Sequence, residues 1–190
     1  MTNLEIHTEP AVLLVDDAPL ILDLLQEILE DSGYRVLRSE TGKDVANIMA
    51  QEQVAVVFCD ILLPEINGVE ILRQIKLQSP EVQVIIISGH QNFETARDVL
   101  RERALDFLVK PFGAGEVLGA AQLGFTTYYA AINQKKARNE AQRRMADLVL
   151  LKQIGETASA GSDLQELFDG ILDSIVHSAG VEIASLMIAG

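Results

Sequence analysis

The sequence predicts a doubly wound α/β fold on a five-stranded parallel sheet, and three observations carry the prediction. Short apolar runs rich in β-branched residues alternate with segments of helical period, strand then helix, five times before residue 113. Such unbroken runs are expected of parallel strands buried on both faces. Four of them stop on a chemically useful side chain: Asp16 and Asp17, Asp60, Ser88, and Lys110. In open α/β sheets the carboxyl edge of the strands is where ligands bind, so these groups should meet in one pocket.

The elements follow in order. Strands are expected at 12–15, 35–38, 54–59, 84–88 and 107–109. Pro19 suits a first helical turn and Gly33 closes that helix; Gly68 precedes the third helix and Ser79-Pro80 ends it. Right-handed crossovers place helices on both faces of the sheet. After Pro111-Phe112 the character changes, and one long helix is expected from Gly115 to about Ala158. Leu118, Ala121, Phe125, Tyr128 and Ile132 keep a three-four spacing, which Ala141, Met145 and Leu148 resume after a polar middle that includes Asn139. A pairing helix that extends from the last sheet-covering helix is the favoured reading, against a helix packed back on its own domain. Lys135, Lys136, Arg138, Arg143 and Arg144 form a basic run with no accompanying aromatic or glycine pattern, which suits a solvated helix face. Gly155 and residues 159–162 interrupt the helix; Ser162 with Gln165 makes a capping box for a further helix that Gly180 ends, and residues 182–188 read as a strand. One helix and one strand are too little core to fold alone, so an incomplete second α/β domain is expected there.

Composition narrows the function. The chain has 190 residues, 48% of them hydrophobic, enough for one full core and part of another. Its net charge of −13 argues against a nucleic-acid surface within this chain. The first ten residues lack a basic start and an apolar stretch, and no apolar run approaches the roughly 18 residues of a membrane span, so no membrane partner and a cytoplasmic location are expected. Cys59, the single cysteine, reads as a buried, inert thiol. His7, His90 and His177 have no metal-ligand spacing.

Asp16, Asp17 and Asp60 pose a charge problem. Like charges about 4 Å apart repel by about 4 kcal/mol at an effective dielectric near 20. A cation must justify them, and hard oxygen ligands with room for water suit Mg2+. Helix capping would explain Asp17 before Pro19, but not Asp60 or Lys110. Beside a metal, Asp60 is a plausible nucleophile toward a phosphoryl group. Lys110 would neutralise the phosphoryl oxygens, and the Ser88 hydroxyl would donate to one of them.

Four motifs, in order and at suitable spacing, resemble the receiver domain of two-component response regulators: Asp16-Asp17; Asp60-Ile61-Leu62-Leu63-Pro64-Glu65-Ile66-Asn67-Gly68; Ile85-Ile86-Ile87-Ser88-Gly89; and Asp106-Phe107-Leu108-Val109-Lys110-Pro111-Phe112. The resemblance implies a flavodoxin-like sheet of order 2-1-3-4-5 and covers residues 10–124, after a tail at 1–9. It implies that Asp60 accepts phosphate from a sensor histidine kinase or phosphotransfer protein. Asp16, Asp17, Asp60 and the Leu62 carbonyl would hold Mg2+; Ile61, Ser88, Gly89 and Lys110 would bind the phosphate. Ser88 and Phe107 would form the switch pair, and Pro111 would follow a cis bond. Ser88 stands where threonine is commoner, Gly89 where alanine is usual, and Phe107 lacks the hydroxyl of the tyrosine often found there. Two or three new charge-assisted hydrogen bonds, at roughly 1.5–3 kcal/mol each, reach the ~5.5 kcal/mol that inverts a 1:99 equilibrium. Residues 92–103 with Phe107 are the expected responding face. Residues 125–158 would be a helical, coiled-coil linker supporting a homodimer. Residues 159–190 resemble the truncated start of a GAF domain, on the leucine pattern of 150–154, 163–167 and 171–175.

Two other functions fit parts of the pattern. A haloacid-dehalogenase-like phosphatase shares the sheet, Mg2+ and a lysine, but needs an Asp-x-Asp after the first strand, where this chain has Asp17-Ala18-Pro19. A dimerisation adaptor that never meets phosphate would have no use for the acidic cluster. The expectation is therefore a signalling module, not an enzyme beyond its own phosphorylation and dephosphorylation.

Overall fold

The computed structural model describes residues 9–89 and 102–159. Its elements are β1 (Ala11–Val15), α1 (Pro19–Asp31), β2 (Val36–Ser39), α2 (Val45–Gln51), β3 (Val54–Asp60), α3 (Gly68–Gln78), β4 (Gln83–Ser88), β5 (Asp106–Val109) and α4 (Ala114–Ser159). All strand pairs are parallel, in the order β2-β1-β3-β4-β5. Every residue of β1, β3 and β4 is buried, whereas the edge strands β2 and β5 are mostly half-buried. Covered faces explain why the three inner strands carry continuous rather than alternating hydrophobicity. The second strand runs one residue later than its sequence suggests, because Ser39 pairs with Val15 at the end of the ladder.

Helix α1 starts with Pro19 after Ala18, and its stripe Leu22, Leu25 and Leu29 is buried on the sheet. Each such leucine contributes at most about 1.5–3 kcal/mol by leaving water. Gly33, at φ +86°, ends it. Its N–H donates to the Glu30 carbonyl at 2.9 Å, and the Tyr34 N–H to that of Leu29 at 3.0 Å, the paired closure of a Schellman motif. Helix α3 is capped by Asn67, whose side-chain oxygen accepts from Val69 N at 2.8 Å. It buries Ile71, Leu72 and Ile75.

The long helix α4 has two regimes. In its first part Val117, Ala120, Ala121 and Tyr128 are buried, and Leu118, Phe125 and Ile132 pack against the same core. Phe125 stacks on Tyr34 with ring centroids 5.0 Å apart, and Gln53 Nε2 donates to the Tyr128 hydroxyl at 3.3 Å. The chain divides into two compact units between Asn133 and Gln134. Phe125, Tyr128 and Ile132, expected in a linker, thus belong to the core of the first unit: the three-four spacing of 118–132 is spent on the sheet rather than on a partner.

The described part of the second unit is the helix from Gln134 to Ser159. Lys135, Lys136, Arg138, Arg143 and Arg144 are all exposed there, as a solvated face requires. Met145, Leu148 and Leu151 are also exposed, at 65%, 63% and 64%. Arg144 pairs with Glu140, and Lys152 with Glu156 at 3.5 Å, both one turn apart. Among the described residues, no helix is long and apolar enough to cross a membrane. The helix and strand expected over 162–188, the GAF-like pattern beyond residue 159, most of the responding face (92–101), and His7, His90 and His177 lie outside the described residues.

Candidate functional site

Strand register assembles the site. Val15 pairs with Cys59, so Asp16, one residue past β1, comes beside Asp60 at the end of β3. Asp60 pairs with Ile87, which brings Ser88 alongside, and Ser88 pairs with Val109, which places Lys110 next in line. The Lys110 N–H donates to the Ser88 carbonyl at 2.8 Å and extends that ladder by one bond. Four strands therefore deliver five side chains to one edge of the sheet, across the point between β1 and β3 where their onward connections run in opposite directions.

At that edge one ammonium serves two buried acids. Lys110 Nζ lies 2.7 Å from Asp16 Oδ2 and 2.8 Å from Asp60 Oδ2. Asp16 and Asp60 are 1% and 7% exposed, and Ser88 is 4% exposed. The remaining Asp16 oxygen, Oδ1, accepts from Ala18 N at 2.9 Å, and Asp60 Oδ1 accepts from Leu62 N at 3.3 Å. Asp17 is exposed, and its carboxylate comes within 4.8 Å of those of Asp16 and Asp60. It makes no hydrogen bond or ion pair among the described residues, and α1 has no side-chain cap, so capping does not account for Asp17.

Burial dominates the Asp16 carboxyl and pushes its pKa up, against the opposing pull of the Lys110 hydrogen bond and the Ala18 N–H. For Lys110, burial is the largest influence and works against the charged form, but its hydrogen bonds and charge attraction to Asp16 and Asp60 outweigh it and hold the ammonium above its ordinary range. The Cys59 thiol is fully buried and pushed far up, first by burial and then by the charges of Asp60 and Asp16, so it stays protonated.

Of the expected site residues, Asp16, Asp17, Asp60, Ile61, Leu62, Ser88, Gly89 and Lys110 lie at this edge and Phe107 lies inside β5, and one of them needs a correction. Ile61 does not offer its amide to the site: its N–H donates to the Ile87 carbonyl at 3.0 Å and its side chain is buried. The free-edge amide is that of Leu62, which already reaches the Asp60 carboxylate, while the Leu62 side chain is 63% exposed. Gly89 is exposed beyond Ser88. Phe107 is half-buried beside Ile86 and donates its N–H to Asp106 Oδ1 at 2.8 Å. The Lys110–Pro111 bond is cis. Gly68 carries more than its sequence position suggested. A Cβ there would fall 2.1 Å from the Asp60 carbonyl oxygen, so only glycine lets α3 begin this close to the residue at the centre of the site. The Asn67-Gly68 pair was the sequence signal for this close approach.

A profile described as the response regulator receiver domain matches residues 12–122. The nitrogen assimilation regulatory protein NtrX of Azorhizobium caulinodans is 38% identical over 109 residues, which cover 56% of this chain and 24% of that protein. The chain spans about a quarter of the length of the curated relatives it matches. Among solved structures, the receiver domain of NtrX from Brucella abortus is 36% identical, with a TM-score of 0.59 over 61% of this chain and 98% of that one. The beryllofluoride-activated NtrC4 receiver domain dimer is 32% identical, with a TM-score of 0.60 over 62% of this chain and 98% of that one. The sheet order, the acidic edge closed by Lys110 and the matched profile agree: the chain belongs to the response regulator receiver domain family of two-component signalling.

Proposed function

We propose that Asp60 accepts a phosphoryl group from a sensor histidine kinase or phosphotransfer protein, and that the change reaches a downstream module through α4. The observation that carries this reading is Lys110 Nζ in contact with both Asp16 and Asp60, beside the exposed Asp17, which has no hydrogen bond or ion pair among the described residues. Three carboxylates make a hard donor set that fits Mg2+. Asp16, Asp17 and Asp60, with the Leu62 carbonyl, would hold the ion, which when bound supplies positive charge to the phosphoryl oxygens. An Asp60 oxygen attacks phosphorus in line, the P–N bond to the donor's histidine breaks, and the imidazole leaves with that bonding pair. Lys110 is anchored by its backbone to Ser88 and keeps its ammonium where new negative charge arrives. The Ser88 hydroxyl, the Gly89 backbone and the Leu62 amide supply hydrogen bonds. The chain's own chemistry ends with gain and loss of this phosphoryl group.

Ser88 and Phe107 form the switch in this reading, on adjacent strands β4 and β5. Residues 134–158 act as a helical linker to a GAF-like module that begins at residue 159, in a cytoplasmic protein. The exposed Met145, Leu148 and Leu151 suit pairing with a second copy. Light scattering should show a dimer that dissociates on dilution, and a monomer at every concentration would remove the pairing.

Acetyl phosphate with Mg2+ is expected to raise the intact mass by one phosphoryl group, with acetate released. Asp60→Asn should abolish the gain. Multiple turnover with free phosphate would instead favour a phosphatase, and no mass change would refute the phosphoacceptor assignment. Asp17→Asn is expected to leave thermal stability without metal within about 0.5 kcal/mol of the parent, as for other exposed, unpaired positions. It should also remove the rise in melting temperature on adding Mg2+; a marked loss of stability would mean that Asp17 has a structural role.

A further inference from the structure

At the opposite, amino-terminal edge of the sheet, Arg73, Lys76, Leu77, Glu102 and Arg103 line an open cavity of about 310 Å³. In a chain of net charge −13 the described residues of this lining include three cations and one carboxylate. The carboxylate is already engaged: Glu102 Oε1 lies 2.7 Å from Arg73 Nη2, and Arg73 Nη1 also faces Glu70 at 3.5 Å. Lys76 and Arg103 are left as close like charges. Burial, and then the charge of Arg103, lower the Lys76 pKa. Lys76 Nζ spends one of its three protons on the Val82 carbonyl at 2.6 Å, and Arg103 has no hydrogen bond or ion pair among the described residues.

Arg103 is also held at φ +67°, a left-handed backbone that glycine adopts freely and arginine does not. Its side chain is therefore kept against a local preference, next to a second cation, at the rim of a recess. We propose that this recess binds a small phosphorylated anion of pyrophosphate class, held between Lys76 Nζ and the Arg103 guanidinium. A single carboxylate would neutralise only one of the two charges. A phosphoryl group offers several oxygens to the guanidinium fork and further charge to the ammonium. The volume is at the small end for ligand sites and suits a compact group. Leu77, 84% exposed, makes an apolar lip on which the rest of a nucleotide could lie. Nothing in this inference depends on Asp60.

The test is a backbone amide NMR titration of the full chain with inorganic pyrophosphate in EDTA. Saturable shifts at Lys76, Leu77 and Arg103 are expected in about the millimolar range. Arg103→Gly suits its backbone, so it should keep the fold and weaken binding at least tenfold. Lys76→Met should do the same, while Asp60→Asn should leave binding unchanged. A parallel titration with ADP separates sources: tighter binding than pyrophosphate identifies a nucleotide, and equal binding identifies a free polyphosphate. No saturation, shifts centred on Asp60 and Lys110, shifts unaltered in Arg103→Gly, or sulfate binding as well as pyrophosphate would each overturn the proposal.

Discussion

Lys110→Ala is expected to destabilise the metal-free protein by about 3 kcal/mol, because it leaves two buried carboxylates without their shared cation. The lower end of the range for broken buried pairs applies, since the Lys110 side chain keeps 22% of its surface in solvent. Urea unfolding at neutral pH measures the loss. Mg2+ should recover more stability in the variant than in the parent, because a cation bound only by the folded state now meets an uncompensated acidic cluster.

The pH dependence has a definite sign. Lys110 is raised above its ordinary value of 10.5, so its stabilisation is fully present below that value and is lost as pH climbs through the higher folded-state value. Parent and variant should converge in strong base. They should also converge in acid: Asp16, raised by burial, takes up its proton early in the native state, and a neutral Asp16 needs no counter-ion. The difference is therefore greatest between the carboxylate and lysine ranges. A loss below about 1 kcal/mol at neutral pH, the value of an exposed pair, would show that water and not Lys110 compensates the acids.

Gly68→Ala should cost a similar amount for a different reason. The added methyl would sit 2.1 Å from the Asp60 carbonyl oxygen, 2.9 Å from its carbon and 3.0 Å from Ile61 Cα, all backbone atoms that no side-chain rotation can clear. The first turn of α3 would have to retreat, breaking the bond from Gly68 N to the Ile61 carbonyl at 3.0 Å and unseating Ile71, Leu72 and Ile75. Overpacking of this kind costs about 3 kcal/mol. Because the displaced backbone is that of Asp60 to Leu62, Mg2+ affinity should fall about tenfold with it, roughly the worth of one displaced ligand interaction. Urea unfolding and a Mg2+-dependent melting series check both. An alanine variant within 1 kcal/mol of the parent and with unchanged metal affinity would show that the loop yields freely.

Local pattern carried much of this molecule. Unbroken, β-branched apolar runs at 54–59 and 84–88, set between helical-period segments, read as strands covered on both faces, and a carboxylate, hydroxyl or lysine at the end of such a strand lies on the ligand-binding edge. That reasoning located Asp16, Asp60, Ser88 and Lys110 without any knowledge of pairing. Where periodicity has two uses, it misled: the three-four spacing of Phe125, Tyr128 and Ile132 is the same for a helix covering a sheet and a helix awaiting a partner. Only contact with Tyr34 and Gln53 decides between them.

The primary structure by itself determined the order of elements, the edge that carries the chemistry and the acids and lysine that meet there, because these depend on side-chain period and on where each run ends. Tertiary structure alone decided that one ammonium would bridge Asp16 and Asp60 from 94 and 50 residues away, that the Ile61 amide would be spent on β4, and that α3 would begin against the Asp60 backbone. Those outcomes depend on register between strands distant in sequence and on distances of a few ångströms across them, which no local pattern encodes.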